Sequence, residues 1–243
     1  MATRLHFEGD WPEPVIIKRG WSRASARRWN EDVPDVAIRL ERGSSDFLKS
    51  ATEAMRDLAQ ADVFSPALYP DTTRVWLTAG YQPHAELDIM ERSITRQDLA
   101  ESPDHGSSLI AVGSPRWGEV VEVDRRAFEG FWRMGADGLV EAMVATPSAV
   151  FFEWRIQGEL AGYALTGTQL TTSFLQRVAV SGDEAGHGIG TELIRACLRW
   201  AASKGAQRMV LNVRPENVGA KSLYARLGFS DTGKSLHVLK FDG

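Results

Sequence analysis

The chain has a single cysteine, Cys197, and so can form no internal disulfide. Its fold must rest on a packed core, and a setting where thiols stay reduced fits. Long apolar runs are also missing. Nothing approaches the roughly 20 residues that a membrane-spanning helix needs. Met1 to Trp11 carry charge where a secretory leader would carry an apolar stretch. There is no basic excess: 28 Lys and Arg against 32 Asp and Glu leave a net charge of -4. Bulk electrostatics thus give no reason to expect nucleic acid as a partner. His6, His84, His105, His187 and His237 show no ligand spacing, so no metal is expected. What remains is ordinary globular composition, 43% hydrophobic and 25% charged over 243 residues. That is enough for one large domain or two small ones. A soluble cytoplasmic protein is the expectation, and nothing in the sequence sets its oligomeric state.

Periodicity divides the chain. Val36 to Leu40 reads as a strand, Ser45 as the cap of a helix from about Asp46 to Gln60, and Val63-Phe64 as a second strand. A helix from Asp71 to Ala79 stops at Gly80, and His84 to Arg92 is a closing strand. The polar stretch Glu101 to Ser108 has turn residues and no period. It places a linker at 99–108 between domains at 1–98 and 109–243. The second domain opens with a strand, Leu109 to Val112, and a helix, Trp117 to Phe128. An aromatic break and a helix from Gly138 to Thr146 follow. Ala149 to Ile156 and Leu160 to Thr166 flank a hairpin turn at Gln157-Gly158. Thr171 to Val180 is a strand, Gly188 to Ser203 a helix, Met209 to Val213 a strand, Val218 to Leu227 a helix and Leu236 to Phe241 a strand. Placing Gly80-Tyr81 over Gly228-Phe229 lays Arg74-Val75-Trp76 over Ser222-Leu223-Tyr224. Both halves then read helix, strand, helix, glycine-aromatic, strand.

The most informative stretch runs from Phe174 to Phe229. An apolar strand, Leu175-Gln-Arg-Val-Ala-Val180, leads into Gly186-His187-Gly188-Ile189-Gly190-Thr191, and a helix starts at once. First-turn amides of a helix lack internal partners and carry partial positive charge. Glycines let a phosphate approach the backbone. A ligand bearing a diphosphate is the natural occupant. The spacing fits neither the dinucleotide fingerprint, G-x-G-x-x-G, nor the phosphate loop, which needs Gly-Lys-Ser/Thr.

Three segments in order resemble the GNAT (Gcn5-related N-acetyltransferase) superfamily over about Ser148 to Lys240, and the resemblance extends back to Leu109. Leu175 to Val180 resembles the family's fourth strand. Ala185-Gly-His-Gly-Ile-Gly190 resembles its diphosphate loop, R/Q-x-x-G-x-G/A. Asn217 to Phe229 resembles N-x-x-A-x-x-L-Y-x-x-x-G-F. The resemblance implies an α/β fold, a mixed and mostly antiparallel sheet flanked by helices, in tandem with a degenerate N-terminal half. It implies acetyl-CoA as co-substrate and, as acceptor, a primary amine of a small molecule or peptide that attacks the thioester directly in a ternary complex. The donor would lie on Val178, Ala179 and Val180, on Ala185, Gly186, His187, Gly188, Ile189, Gly190 and Thr191, and on Asn217 and Tyr224. Tyr224 would act as general acid toward the departing thiolate.

Two positions depart from the pattern. Ala185 stands where the loop usually has Arg or Gln. Asn212 stands where relatives that acetylate ribosomal-protein N-termini often carry the glutamate base of L-E-V-R. Glu153, Glu122 and Asp124 are candidate bases by location. Phe128, Phe131 and Trp132 either line the acceptor pocket or simply pack. Asn217 is a helix cap, a ligand contact, or both. Lys18, Arg19, Arg23, Arg27 and Arg28, with Trp21 and Trp29, read as a solvated face. The rival to catalysis is a non-catalytic acyl-CoA-binding sensor or interaction module.

Overall fold

The computed structural model describes residues 4–100 and 108–243. It contains two compact units, Met1–Leu87 with Ser235–Gly243, and Asp88–Lys234.

The first unit opens with β1 (His6–Glu8), β2 (Val15–Arg19), β3 (Ser22–Arg28) and β4 (Val36–Arg42) in antiparallel succession. The basic run is therefore not merely a solvated face. Val15, Ile17, Ala24 and Ala26 point inward and are buried, while the charges alternate with them on a hairpin turned at Gly20. Helix α1 (Ser45–Ala59) is capped by Ser44, one residue earlier than expected, whose hydroxyl accepts from the Phe47 amide. It crosses over to β5 (Val63–Phe64), which pairs parallel with β4. Helix α2 (Arg74–Thr78) and the start of β6 (Tyr81–Ser93) follow. The end of β12 (Ser230–Phe241) completes this sheet against β5, with Lys240 opposite Phe64.

The second unit is built the same way. Its strands are β7 (Leu109–Val112), β8 (Ser148–Ile156), β9 (Glu159–Gln169), β10 (Thr172–Val180) and β11 (Arg208–Val213). Neighbours pair antiparallel except β10 with β11, which is parallel. The end of β6 completes the sheet, Asp88 to Ser93 pairing with β11. A short helix, α3 (Gln97–Ala100), follows β6. Between β7 and β8 come α4 (Trp117–Ala127) and α5 (Ala136–Val144), for which the first unit has no counterpart between β1 and β2. Helices α6 (Ile189–Ser203) and α7 (Val218–Arg226) flank β11 in sequence.

Side-chain alternation on β9, shifted by a bulge at Ala161 against β8, separates two cores. Ala161 and Ala164 face α6, with Leu193, Cys197 and Tyr224. Tyr163 and Leu165 face α4 and α5, with Val120, Val123 and Leu139. Burial pushes the Cys197 thiol well above the usual thiol range, as suits a core position.

The glycine-aromatic echo is structural. Gly80 and Gly228 both take positive φ, +101° and +85°. Trp76 meets Tyr81 edge-on with ring centroids 4.9 Å apart, and Tyr224 meets Phe229 edge-on at 5.9 Å. A positive φ favours glycine because a Cβ would meet the preceding carbonyl there.

The borders differ from the expected 1–98 and 109–243. The expected linker at 99–108 falls largely on residues 101–107, which lie outside the described residues. The physical reason for the shift is strand pairing. Each sheet takes its last strand from the other half of the sequence, β12 for the first and β6 for the second. A fragment of residues 109–234 lacks β6, the antiparallel partner of β11 along its whole length, whereas 88–234 retains it. We expect cooperative thermal unfolding by circular dichroism from 88–234 only. Equal cooperativity in 109–234 would contradict the pairing argument.

Candidate functional site

The parallel pairing of β10 and β11 covers only Thr172 with Arg208, Ser173 with Met209 and Phe174 with Val210. Beyond Phe174, β10 stays on β9 and β11 stays on β6. A β-bulge lies between Leu175 and Arg177, so Gln176 is an extra residue. The bulge inverts the facing of the strand. Leu175 packs in the α6 core, yet Ala179, four residues on, packs in the α4 core.

Hydrogen-bond phase fixes where the backbone of this stretch points. The Ser181 amide donates to the Ala161 carbonyl, and the register continues Val180 with Gly162 and Ala179 with Tyr163. In an antiparallel ladder, bonded and non-bonded pairs alternate. The amides of Arg177 and Ala179 therefore face β9. Those of Val178 and Val180 face the opposite edge, which β11 has left.

That edge ends beside the start of α6. The loop passes through a 3-10 turn at Gly182–Glu184, then Ala185, Gly186 and His187, all three exposed. Gly186 and Gly188 have φ of +85° and +84°, and a Cβ on either would meet nothing within 4 Å. Gly188 is the N-cap and no side chain caps it. The first-turn amides of α6 thus open onto free space, which suits a diphosphate on a close-approaching backbone. Ile189 points its side chain into the core, and Thr191 is half-buried. A Cβ on Gly190 would lie 3.4 Å from Leu223 Cδ2 and 3.7 Å from Val180 Cγ2. The end of β10, the first turn of α6 and helix α7 therefore meet at this one glycine.

The matching helix start in the first unit is closed. Ser44 caps its own helix, and a Cβ on Gly43 would lie 2.6 Å from the Phe47 ring.

Asn217 caps α7, its Oδ1 accepting from the Ala220 amide at 3.1 Å. Tyr224 lies on the buried face of α7, 7% exposed. Burial pushes its phenol up to about 12, and the positive charge of Arg177 works against that shift.

The wall on the α4 side is held by one buried carboxylate. Asp124 accepts from Arg177 Nε and Nη2, both at 2.8 Å, from the Tyr163 hydroxyl at 2.6 Å and from the Met134 amide at 2.7 Å. It is fully buried. With its acceptor positions taken by four donors, Asp124 is a structural anion and no general base. Arg177 also donates to the Trp132 carbonyl at 2.8 Å and sits 3.5 Å over the Phe128 ring. Glu153 is buried against Arg155 Nε at 2.8 Å, and Glu122 pairs with Arg125 and Arg126. None of the three candidate bases is an unpaired carboxylate. Asn212 is exposed on β11. Phe128, Phe131 and Trp132 are half-buried, and the Arg214 guanidinium stands 5.7 Å from the Trp132 ring.

Sequence reasoning gives Gln176 and Arg177 no role. The signal was an arginine inside an apolar strand, which burial forces to find a carboxylate, and an aspartate on the apolar face of α4 beside Val120 and Val123. Among the described residues no cluster of His, Cys, Asp and Glu could hold a metal, and no helix is long and apolar enough to cross a membrane.

Residues 117–229 match the acetyltransferase (GNAT) family. The chain is 26% identical over 186 residues to the mycothiol acetyltransferase of Catenulispora acidiphila, covering 69% of this chain and 58% of that one. It is 39% identical over 66 residues to the uncharacterized N-acetyltransferase YobR of Bacillus subtilis, 27% of each chain. The matched segments thus span less than two thirds of these relatives. Among solved structures, a tandem GNAT protein from the clavulanic acid biosynthesis pathway superposes with TM-score 0.59 at 15% identity, over 98% of this chain and 83% of that one. A GCN5-related N-acetyltransferase from Sphaerobacter thermophilus gives 0.54 at 16%, over 94% and 80%. Both likenesses concern the fold.

The Tyr224 environment has a measurable consequence. An unfolded tyrosine ionises near 10, whereas Tyr224 holds its proton to about 12. Folding therefore strengthens proton binding. The associated stability is present below pH 10 and is lost as pH rises toward 12. Between pH 9 and pH 11 the wild type should lose about 1 kcal/mol more unfolding free energy than Tyr224→Phe. Equal losses in urea titrations would contradict the buried phenol.

Proposed function

Because residues 117–229 of this chain belong to the acetyltransferase (GNAT) family, we propose that the protein is an acetyl-CoA-dependent N-acetyltransferase. It would move the acetyl group to a primary amine of a small molecule or peptide by direct attack in a ternary complex. The observation that carries this reading is the directed edge of β10. Val178 and Val180 aim their amides into a gap that ends on an uncapped, glycine-lined helix start.

In this reading the CoA arm adds to β10 as a short strand, and its diphosphate rests on the amides from Gly186 to Thr191. Loss of the usual Arg or Gln at Ala185 removes a side chain but no amide. The Val178 amide polarises the thioester carbonyl. The amine nitrogen bonds to that carbon as the carbon–sulfur bond breaks, and the amine's spare proton leaves to water. The Tyr224 phenol binds its proton more tightly than a thiol does. Its contribution is thus a hydrogen bond to the sulfur as negative charge grows there, in place of the full proton transfer of a general acid, and the departing thiolate takes its proton from water. Asn217 holds the turn into α7 through its cap. The N-terminal half, with its self-capped helix, serves as a degenerate partner that binds no donor.

A second reading, a non-catalytic acyl-CoA sensor, draws on Ala185 and on the absence of an unpaired carboxylate among Glu122, Asp124 and Glu153.

Calorimetric titration with acetyl-CoA tests the donor site. Gly188→Asp and Gly190→Asp each set a carboxylate at the first-turn amides and should weaken binding at least about tenfold. An unchanged affinity would move the site elsewhere. Tyr224→Phe should keep donor affinity and lower kcat by about 100-fold or more. Wild type that binds donor yet releases no thiol with any amine would favour the sensor.

A further inference from the structure

Three buried side-chain polar atoms among the described residues have no hydrogen-bond partner: Arg23 Nε, Gln176 Oε1 and Ser181 Oγ. Arg23 Nε lies 2.7 Å from the Glu41 carboxylate and is compensated by charge. The other two bracket the stretch of β10 that β11 has left. A Ser181 hydroxyl both donates and accepts and so names no ligand chemistry. Gln176 is more specific. Its Nε2 donates to the Ala142 carbonyl at 2.7 Å, which fixes the amide orientation, because a carbonyl accepts only from the NH2 end. The oxygen is therefore the unmatched atom, and an unmatched buried acceptor costs free energy that a native site retains for a reason.

Loose packing does not explain it. Next in sequence, Arg177 makes three hydrogen bonds and Asp124 takes four. Nor does the contact to α5 require it, since the Ala142 carbonyl also accepts from the Ala145 amide. Gln176 is the extra residue of the bulge, two positions before Val178, so their Cα atoms lie within about 7 Å. Its oxygen can accept and cannot donate. The acetyl thioester end of the donor presents only acceptor atoms. A primary amine has N–H groups to spare.

We propose that Gln176 Oε1 receives an N–H of the acceptor amine and holds its nitrogen against the carbonyl at Val178. This rests on the transferase reading above. It makes Gln176 an acceptor-binding residue with a contact to the reacting nitrogen itself, so a bare amine suffices as the probe.

The test uses the full chain, acetyl-CoA and ethylamine, with thiol release, acetyl-CoA calorimetry and thermal unfolding measured in parallel. Gln176→Leu should lower kcat/KM for ethylamine at least about tenfold, chiefly through KM. Acetyl-CoA affinity should stay within about twofold, and Tm should change little, since removal of the unmatched acceptor offsets loss of the Nε2 bond and the Ala142 carbonyl keeps the Ala145 amide. Gln176→Glu returns an acceptor oxygen and should recover part of the loss. Unchanged kcat/KM in Gln176→Leu would overturn the proposal. Parallel losses of Tm and donor affinity would also overturn it, by assigning Gln176 to packing. So would a wild type that binds acetyl-CoA and leaves ethylamine untouched. A wild type that binds no acetyl-CoA would instead defeat the transferase reading beneath it.

Discussion

The candidate site depends on a parallel strand pair that stops early. β10 and β11 share three residues of ladder and then follow different neighbours. A sheet interrupted in this way leaves backbone donors with no strand to bond, and on half-buried residues such donors need water or a ligand as acceptor. The phase of the β9–β10 ladder decides which donors are concerned, Val178 and Val180, and the glycines at the start of α6 decide what lies at the end of their row. Gap and directed amides are thus consequences of one break in pairing, and the glycines at Gly186 and Gly188 set the uncapped helix at its end.

A break of this kind has to be held open. The bulge at Gln176 turns Arg177 toward α4, where Asp124 binds it with two hydrogen bonds and takes two more from Tyr163 and Met134. Paired charges of this type are expensive to bury singly and well fixed when every lone pair is met. The same guanidinium binds the Trp132 carbonyl and covers Phe128, so it ties the connection between α4 and α5 to β10. On the other side, Gly190 lets Val180 and Leu223 close around the first turn of α6. One wall rests on ion pairing and the other on the absence of a side chain.

Much of this was legible in the residues. The helix period of α6, the Gln157-Gly158 turn and the glycine-aromatic echo each follow from local chemistry. So does the Asn217 cap, whose Oδ1 takes the Ala220 amide. What escaped depends on partners distant in sequence. β3 was hidden because its inward positions, Ala24 and Ala26, are small and lie among Arg23, Arg27 and Arg28, and β2 because its apolar run, Val15 to Ile17, is only three residues long before Lys18. The borders at 98 and 109 rest on a polar stretch that breaks the period, whereas the compact units follow which strand closes which sheet. Asp124 read as one of three candidate bases because an acidic residue on a helix looks free until the arginine opposite it is known. Gln176 was unreadable because a bulge is a property of two strands together.

The first unit shows the same sheet order with a closed helix start. Ser44 caps α1 and Phe47 backs Gly43, so equal topology gives one open site and one shut site. The most direct test of the account is amide hydrogen exchange along β10, followed by NMR with and without acetyl-CoA. The account predicts that the donor slows exchange at Val178 and Val180 and leaves Ala179, already bonded toward β9, unchanged. Uniform protection across Arg177 to Val180, or none, would contradict it.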